Sequence, residues 1–182
     1  MRYDPDKHHR RSVRLKGHDY AQPGAYFVTV CTYQRECLFG HVVNGEMRLN
    51  DAGEIAREQW LRTPQIRPNV EMDAFMIMPN HLHGIVIIRE SCRGTLQRAP
   101  TQTERFAQPT SNSIPTIVRL FKSATTLRIN VLRGAPGTPV WQRGYYEHVV
   151  RNEQELMAIR EYILSNPARW DEDENNPDFA KG

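Results

Sequence analysis

Cysteine is scarce in this 182-residue chain. Cys31, Cys37 and Cys92 are odd in number and no two are spaced Cys-x-x-Cys, so neither a disulfide framework nor a zinc knuckle is indicated. A reducing, cytoplasmic setting follows as the expectation. Apolar runs of membrane-span length are missing, and residues 1–16 are charged rather than signal-like. No internal repeat occurs. Acidic residues are absent from 114–133, where Arg119, Lys122, Arg128 and Arg133 stand without a counter-charge. Such a stretch is an electrostatic footprint suited to phosphate.

What is present fits a globular protein with a substantial core: 39% hydrophobic and 25% charged residues, with a formal net charge of +3. The charge is polarised along the chain. Residues 1–16 carry Arg2, Lys7, Arg10, Arg11, Arg14 and Lys16, whereas residues 171–182 carry Asp171, Glu172, Asp173, Glu174 and Asp178. A basic arm with an acidic tail is a common arrangement on proteins that handle nucleic acid. The expected organisation is a basic arm (1–24), one domain (25–170) and an acidic, disordered tail (171–182). The Thr/Gln/Pro/Ser/Arg-rich span 91–113 has no periodicity and reads as a mobile loop.

Within the domain, residues 25–32 are β-branched and aromatic and predict a buried strand. Asn44-Gly45 marks a hairpin over 41–49, and a helix follows from 51 to 62, ended by Pro64. Residues 70–78 and 82–88 predict two strands joined at Pro79-Asn80. A helix over 114–132 is capped by Ser113, with Ile117, Leu120, Phe121, Ala124, Leu127 and Val131 as its core stripe. Residues 140–150 read as a strand bent at Gly144. A last helix is capped by Asn152, with Glu155 as capping-box partner and Leu156, Ile159 and Ile163 facing the core. This order predicts an α+β fold, one mostly antiparallel sheet with helices packed on one face.

Two features carry chemistry. His81 and His83 lie two apart at the start of a β-branched run, so both imidazoles project from one face of a strand, as paired neutral ligands of a divalent metal would. Tyr162 and Asn166 lie four apart on the final helix and share one surface of it. Pro167 biases Asn166 away from α geometry, so their alignment is expected to be approximate. Phenol and carboxamide aimed at the two histidines would assemble a nucleophile beside a three-ligand metal site. That site would keep positions open for phosphate oxygens.

Four segments taken together are more specific: Met78-Pro-Asn-His-Leu-His-Gly-Ile-Val, Phe121-Lys-Ser-Ala-Thr-Thr-Leu-Arg-Ile-Asn, Val140-Trp-Gln-Arg-Gly-Tyr-Tyr-Glu-His and Ile159-Arg-Glu-Tyr-Ile-Leu-Ser-Asn-Pro. In this order, over residues 26–170, the chain resembles the single-tyrosine HUH transposases, most of all the REP-associated tyrosine transposases. The resemblance implies a ferredoxin-like or RRM-like core. It implies Tyr162 as nucleophile, and His81, His83 and Asn166 as ligands of Mg²⁺ or Mn²⁺. It also implies cleavage and rejoining of hairpin-flanked single-stranded DNA through a 5′-phosphotyrosine, by a monomer rather than a homodimer, at the nucleoid of the cytoplasm. The residues expected on the DNA are Arg10, Arg11, Arg14, Arg119, Lys122, Arg128 and Arg143.

Two other classes compete. A zinc hydrolase could use His81 and His83, but it wants a further acidic or histidine ligand and a base carboxylate, neither obvious near His81. A non-catalytic single-strand-binding module would stack bases on Tyr26, Phe27 and Trp141. Tyr145 and Tyr146 read as neighbours split between core and surface, and His148 as a packed or surface histidine. His8, His9, His18 and His41 are assigned no role.

Overall fold

The computed structural model describes residues 18–90 and 112–179. The basic arm to residue 17 and nearly all of the expected mobile loop therefore lie outside the described residues. The elements in chain order are β1 (Gly24–Cys31), β2 (Gly40–Val43), β3 (Glu46–Leu49), α1 (Asp51–Leu61), α2 (Thr63–Ile66), β4 (Val70–Ile77), β5 (His81–Ile88), α3 (Ile114–Leu132), β6 (Tyr146–Val150) and α4 (Glu153–Ser165). Short 3₁₀ segments lie at Tyr33–Arg35 and Asn166–Glu172.

Four strands form one antiparallel sheet in the order β4-β5-β1-β6, and β2-β3 make a separate hairpin. With the hairpin set aside, the arrangement is βαββαβ with its first and third strands central, which is the ferredoxin-like, RRM-like topology. Asn44 and Gly45 turn the hairpin with φ of 53° and 75°, as an Asn-Gly two-residue turn requires. The expected strand over 140–150 is shorter. Only 146–150 pairs with β1, and Trp141 makes a lone bridge to Thr32.

Alternation on the central strands divides the sheet into two environments. Val28 and Val30 of β1 and Leu82 and Val86 of β5 are fully buried beneath α1 and α3. Burying each such side chain stabilises the fold by about 1.5–3 kcal/mol. Trp60 of α1 sits over Gly84, where a Cβ would come within 2.5 Å of Trp60 Cζ2. The opposite face carries Phe27 and Ile85, covered by Leu156, Ile159 and Ile163 of α4. His81 and His83 belong to this second face, in register with Cys31 and Thr29.

The expected stripe of α3 holds in part. Ile117 and Phe121 point inward as expected, joined by Ile114, Val118, Thr125 and Ile129, while Leu120, Leu127 and Val131 are exposed. Contact with α1 and the sheet rotates the buried side away from these three, and Leu127 and Val131 line a surface groove of about 820 Å³ with the 134–143 connection. Ser113 holds the N-cap position, but its hydroxyl donates to Thr116 Oγ1 instead of capping a backbone amide.

Candidate active site

The β4–β5 connection fixes the first histidine through Asn80, which is fully buried. The Asn80 carboxamide nitrogen donates to the carbonyls of Arg35 (3.1 Å) and Asn175 (2.6 Å), so its Oδ1 must face His81 Nδ1, 2.9 Å away, as an acceptor. His81 therefore carries its proton on Nδ1 and presents a bare Nε2 lone pair. His83 is held in the same way: its Nδ1 lies 2.8 Å from Thr29 Oγ1, the residue opposite it in register, and its ring stacks on Phe27. Burial pushes both imidazoles down from 6.5 to about 3, helped by Arg35 at His81 and by His81 at His83. Both are neutral at physiological pH, the form in which imidazole binds a metal.

Helix α4 brings the nucleophile candidate. Asn152 caps it by accepting from Glu155 N at 2.8 Å, while the Glu155 carboxylate takes the Arg151 amide and His148 Nε2. Arg160 ties the helix to β4 through Asp73 at 2.7 and 3.0 Å. Ile163 is fully buried, so Tyr162, one residue earlier, stands at the margin of the interface with 40% of its surface exposed. Its hydroxyl is 3.3 Å from His83 Nε2 and its ring lies edge-on to Phe27. Burial raises the phenol's pKa; Asp173 and Glu174 add to the rise, and Arg169 and Asn166 offset it. The expected departure of Asn166 from α geometry does not occur. Its φ and ψ of −57° and −41° are helical, because the chain runs on into a 3₁₀ segment that begins with Asn166 and Pro167, and the stacking under Tyr162 is kept.

The acidic end, expected as a tail over 171–182, is described as far as residue 179. The 3₁₀ segment and the turns after it fold back over the site, held by the Asn80–Asn175 bond and by Arg35 Nη1 donating to the Glu174 carbonyl. This places Asp173, 9% exposed, with one carboxylate oxygen 3.8 Å from His81 Nε2. His81, His83 and Asp173 bring one ligand atom each to within 4.8 Å of one another. Asp173 was missed by sequence reasoning. The available signal was an acid eleven residues beyond the tyrosine, and nothing local shows that the chain returns there.

Among the described residues, three buried polar atoms in this cleft have no hydrogen-bond partner: His81 Nε2, Asn166 Oδ1 and Asp173 Oδ2. All three are electron-pair donors, and a buried carboxylate oxygen facing neutral imidazoles is costly without a positive charge beside it. The donor set, two imidazole nitrogens and two oxygens, suits a divalent transition ion or Mg²⁺. The cleft wall adds Tyr162, Arg169, Glu172 and Glu174 around a cavity of about 190 Å³.

The expected DNA-binding residues do not converge on this cleft. Arg10, Arg11 and Arg14 lie outside the described residues. Lys122 is spent on structure: its Nζ donates to the Gln142 and Gly144 carbonyls at 2.7 Å each, and burial pulls it down to about 8. Arg128 pairs with Glu58 at 2.6 Å, and both belong to helices on the far face of the sheet. Arg133 braces the turn after α3 by donating to Asn130 Oδ1 and the Thr138 carbonyl. Arg119 and Arg143 are exposed. Tyr26, Phe27 and Trp141, the stacking surface of the competing binding module, are 1%, 9% and 7% exposed and offer no face to a base.

This cleft lies on an antiparallel, RRM-like sheet with helices packed on it, and the architecture has a solved counterpart. The chain shares the fold of a REP-associated tyrosine transposase whose structure was determined bound to a REP hairpin (TM-score 0.58, 19% identity, covering 87% of this chain and 74% of that one). A candidate transposase of Deinococcus radiodurans R1 superposes too loosely to bear on the fold (TM-score 0.44, 18% identity, 83% of this chain and 96% of that one). No protein-family model matches the chain. In sequence it belongs to one family with an uncharacterized protein of Haemophilus influenzae strain Rd, 43% identical over 177 residues, which cover 95% of this chain and 96% of the relative.

Proposed function

We propose that the protein is a metal-dependent single-stranded DNA endonuclease and strand transferase that works through a tyrosine adduct on hairpin-flanked sites. One observation carries the reading. An exposed phenol on a helix margin is held 3.3 Å from a neutral buried histidine, in a cleft where three further donor atoms lack partners among the described residues. The shared fold with a transposase that binds a REP hairpin supports it. His81, His83, Asn166 and Asp173 would hold Mg²⁺ or Mn²⁺, whose chemistry there is to polarise a phosphate oxygen.

The chain's own residues do the rest. Tyr162 Oη attacks phosphorus: the Oη–P bond forms and the P–O3′ bond breaks, giving a 5′-phosphotyrosine and a free 3′-hydroxyl. The phenolic proton leaves to water at the cleft mouth, and the departing 3′ oxygen takes one from solvent. The adduct conserves the phosphodiester energy, so a second 3′-hydroxyl can reverse the step without a nucleotide cofactor. Arg169, beside Tyr162 in the cleft wall, is placed to meet the anionic phosphate. The arm's Arg10, Arg11 and Arg14, with the exposed Arg119 and Arg143, would supply contacts further along the strand. The protein would act as a monomer at the nucleoid. Among the described residues no helix is long and apolar enough to cross a membrane.

The test is a denaturing gel with an end-labelled oligonucleotide carrying a hairpin and single-stranded flanks. Wild-type protein should form a covalent adduct, and Tyr162→Phe should bind the DNA and form none. An adduct that persists in Tyr162→Phe would refute the assignment. Asp173 also supplies the acidic ligand that a zinc hydrolase asks for. Turnover of a small ester or amide without any DNA adduct would favour that reading.

A further inference from the structure

We infer that Tyr146 is the stacking platform for the nucleobase that flanks the scissile phosphate, an inference that rests on the nuclease reading above. Tyr145 and Tyr146 are neighbours, and the fold accounts for only the first: Tyr145 is half-buried and its hydroxyl donates to Glu147 Oε2 at 2.6 Å. Tyr146 points to the other face. It lies opposite Thr29 in register, and Thr29 is the residue that holds His83. Its ring is 6.1 Å from Phe27, and Phe27 is in turn 5.5 Å from His83 and 6.2 Å from Tyr162. One buried phenylalanine thus joins the nucleophile candidate, a metal-ligand candidate and Tyr146 into a continuous aromatic surface.

Exposure distinguishes the two ends of that surface. Tyr146 is 44% and Tyr162 40% exposed, while Phe27 between them is 9% exposed. Helix α4 lies mainly over β4 and β5 and meets β6 through the His148–Glu155 bond and beside Val150, so the Tyr146 end of that strand is the part left open. Among the described residues the Tyr146 hydroxyl has no hydrogen-bond partner, and none of them accounts for an open tyrosine there. The occupant follows from chemistry and charge. Arg143 and Arg151 are exposed just before and just after β6, the strand that carries this open ring. That combination fits a single strand of nucleic acid, whose bases stack on aromatics while its phosphates meet basic side chains. A phosphodiester attacked by Tyr162 would carry its neighbouring nucleotide across Phe27 towards this ring.

The experiment uses the full chain carrying Tyr162→Phe, so that DNA stays intact. Single 2-aminopurine substitutions are walked along the single-stranded flank of the hairpin oligonucleotide. Fluorescence should be quenched on binding at a position next to the cleavage point. The quenching should vanish in Tyr146→Ala and persist in Tyr146→Phe and Tyr146→Trp, which keep a ring without the phenol. On the Tyr162 background, Tyr146→Ala should raise KM for cleavage about 5- to 150-fold, the range expected for one lost base–aromatic stack, with kcat little changed. Unchanged quenching and KM in Tyr146→Ala, with adduct formation intact, would overturn the platform and leave the nuclease reading standing. Equal loss in Tyr146→Phe would overturn it too, by showing that the hydroxyl matters rather than the ring. Tyr146-dependent quenching, with no adduct formed by the protein that keeps Tyr162, would overturn the nuclease reading instead. Absence of DNA binding would overturn both.

Discussion

Acidification should unfold this protein through its two site histidines. In the folded chain His81 and His83 sit at about 3, against 6.5 when free in water. Between those values the unfolded chain binds one proton at each histidine and the folded chain binds none. Stability is then fully present above about pH 6.5 and is lost progressively as pH falls towards 3. At pH 5 the cost is about 1.5 units at about 1.36 kcal/mol each, or about 2 kcal/mol per histidine. Two histidines give about 4 kcal/mol, a large part of the about 5–15 kcal/mol that holds a typical domain together. In urea, with a slope of about 2 kcal/mol/M, the midpoint of chelator-treated protein should drop by about 2 M between pH 7 and pH 5. The comparison is His81→Asn/His83→Gln, which keeps polar groups there but cannot titrate and should lose much less. Mn²⁺ at about 100-fold over its dissociation constant should restore about 2.7 kcal/mol to wild type and little to the double variant. Equal losses in both proteins would refute the claim that these histidines are buried and neutral.

The remaining expectations concern the donor set, the core and the two charged ends. By calorimetric titration, His81→Ala and His83→Ala should each abolish Mn²⁺ binding. Asn166→Ala should weaken it less, since water can replace a neutral oxygen, and Thr29→Val, which removes the partner of His83 Nδ1, should cost about 10- to 100-fold. Gly84→Ala drives a Cβ into Trp60 and should destabilise by about 1–3 kcal/mol in urea while the far face keeps its metal affinity. Truncation after Trp170 should raise oligonucleotide affinity at low salt by removing acids folded over the site, and should weaken Mn²⁺ binding by removing Asp173. Equal DNA affinity of the full-length and truncated proteins at both low and high salt would make the acidic segment a bystander. Neutralising Arg10, Arg11 and Arg14 together should flatten log K against log salt by about 0.7 per lost phosphate contact on single strands; an unchanged slope would place the arm off the DNA.

Periodicity and punctuation determined much of this protein by themselves. A β-branched run after Pro79-Asn80 is a strand whatever surrounds it, and strand alternation alone puts His81 and His83 on one face. Asn44-Gly45 dictates its own turn through the left-handed backbone that both residues tolerate, and the spacing of Tyr162 and Asn166 fixes their common helical surface. These are local properties, set within one or two turns of chain. Tertiary contact decided what local pattern left degenerate. On helix α3 the spacing picks out Ile117 and Phe121, and only packing against α1 and the sheet chose Ile114, Val118 and Ile129 to join them over Leu120, Leu127 and Val131. Lys122 and Arg128 read as free cations until carbonyls of the 142–144 connection and Glu58 claimed them. The acidic end read as solvated because charge and low hydrophobicity favour water. The bonds that fold it back come from Arg35 and Asn80, far away in sequence, and they help bring Asp173 to the histidines. A chain that returns to its own site leaves no periodic trace, because the groups that hold it there are supplied by residues distant in sequence.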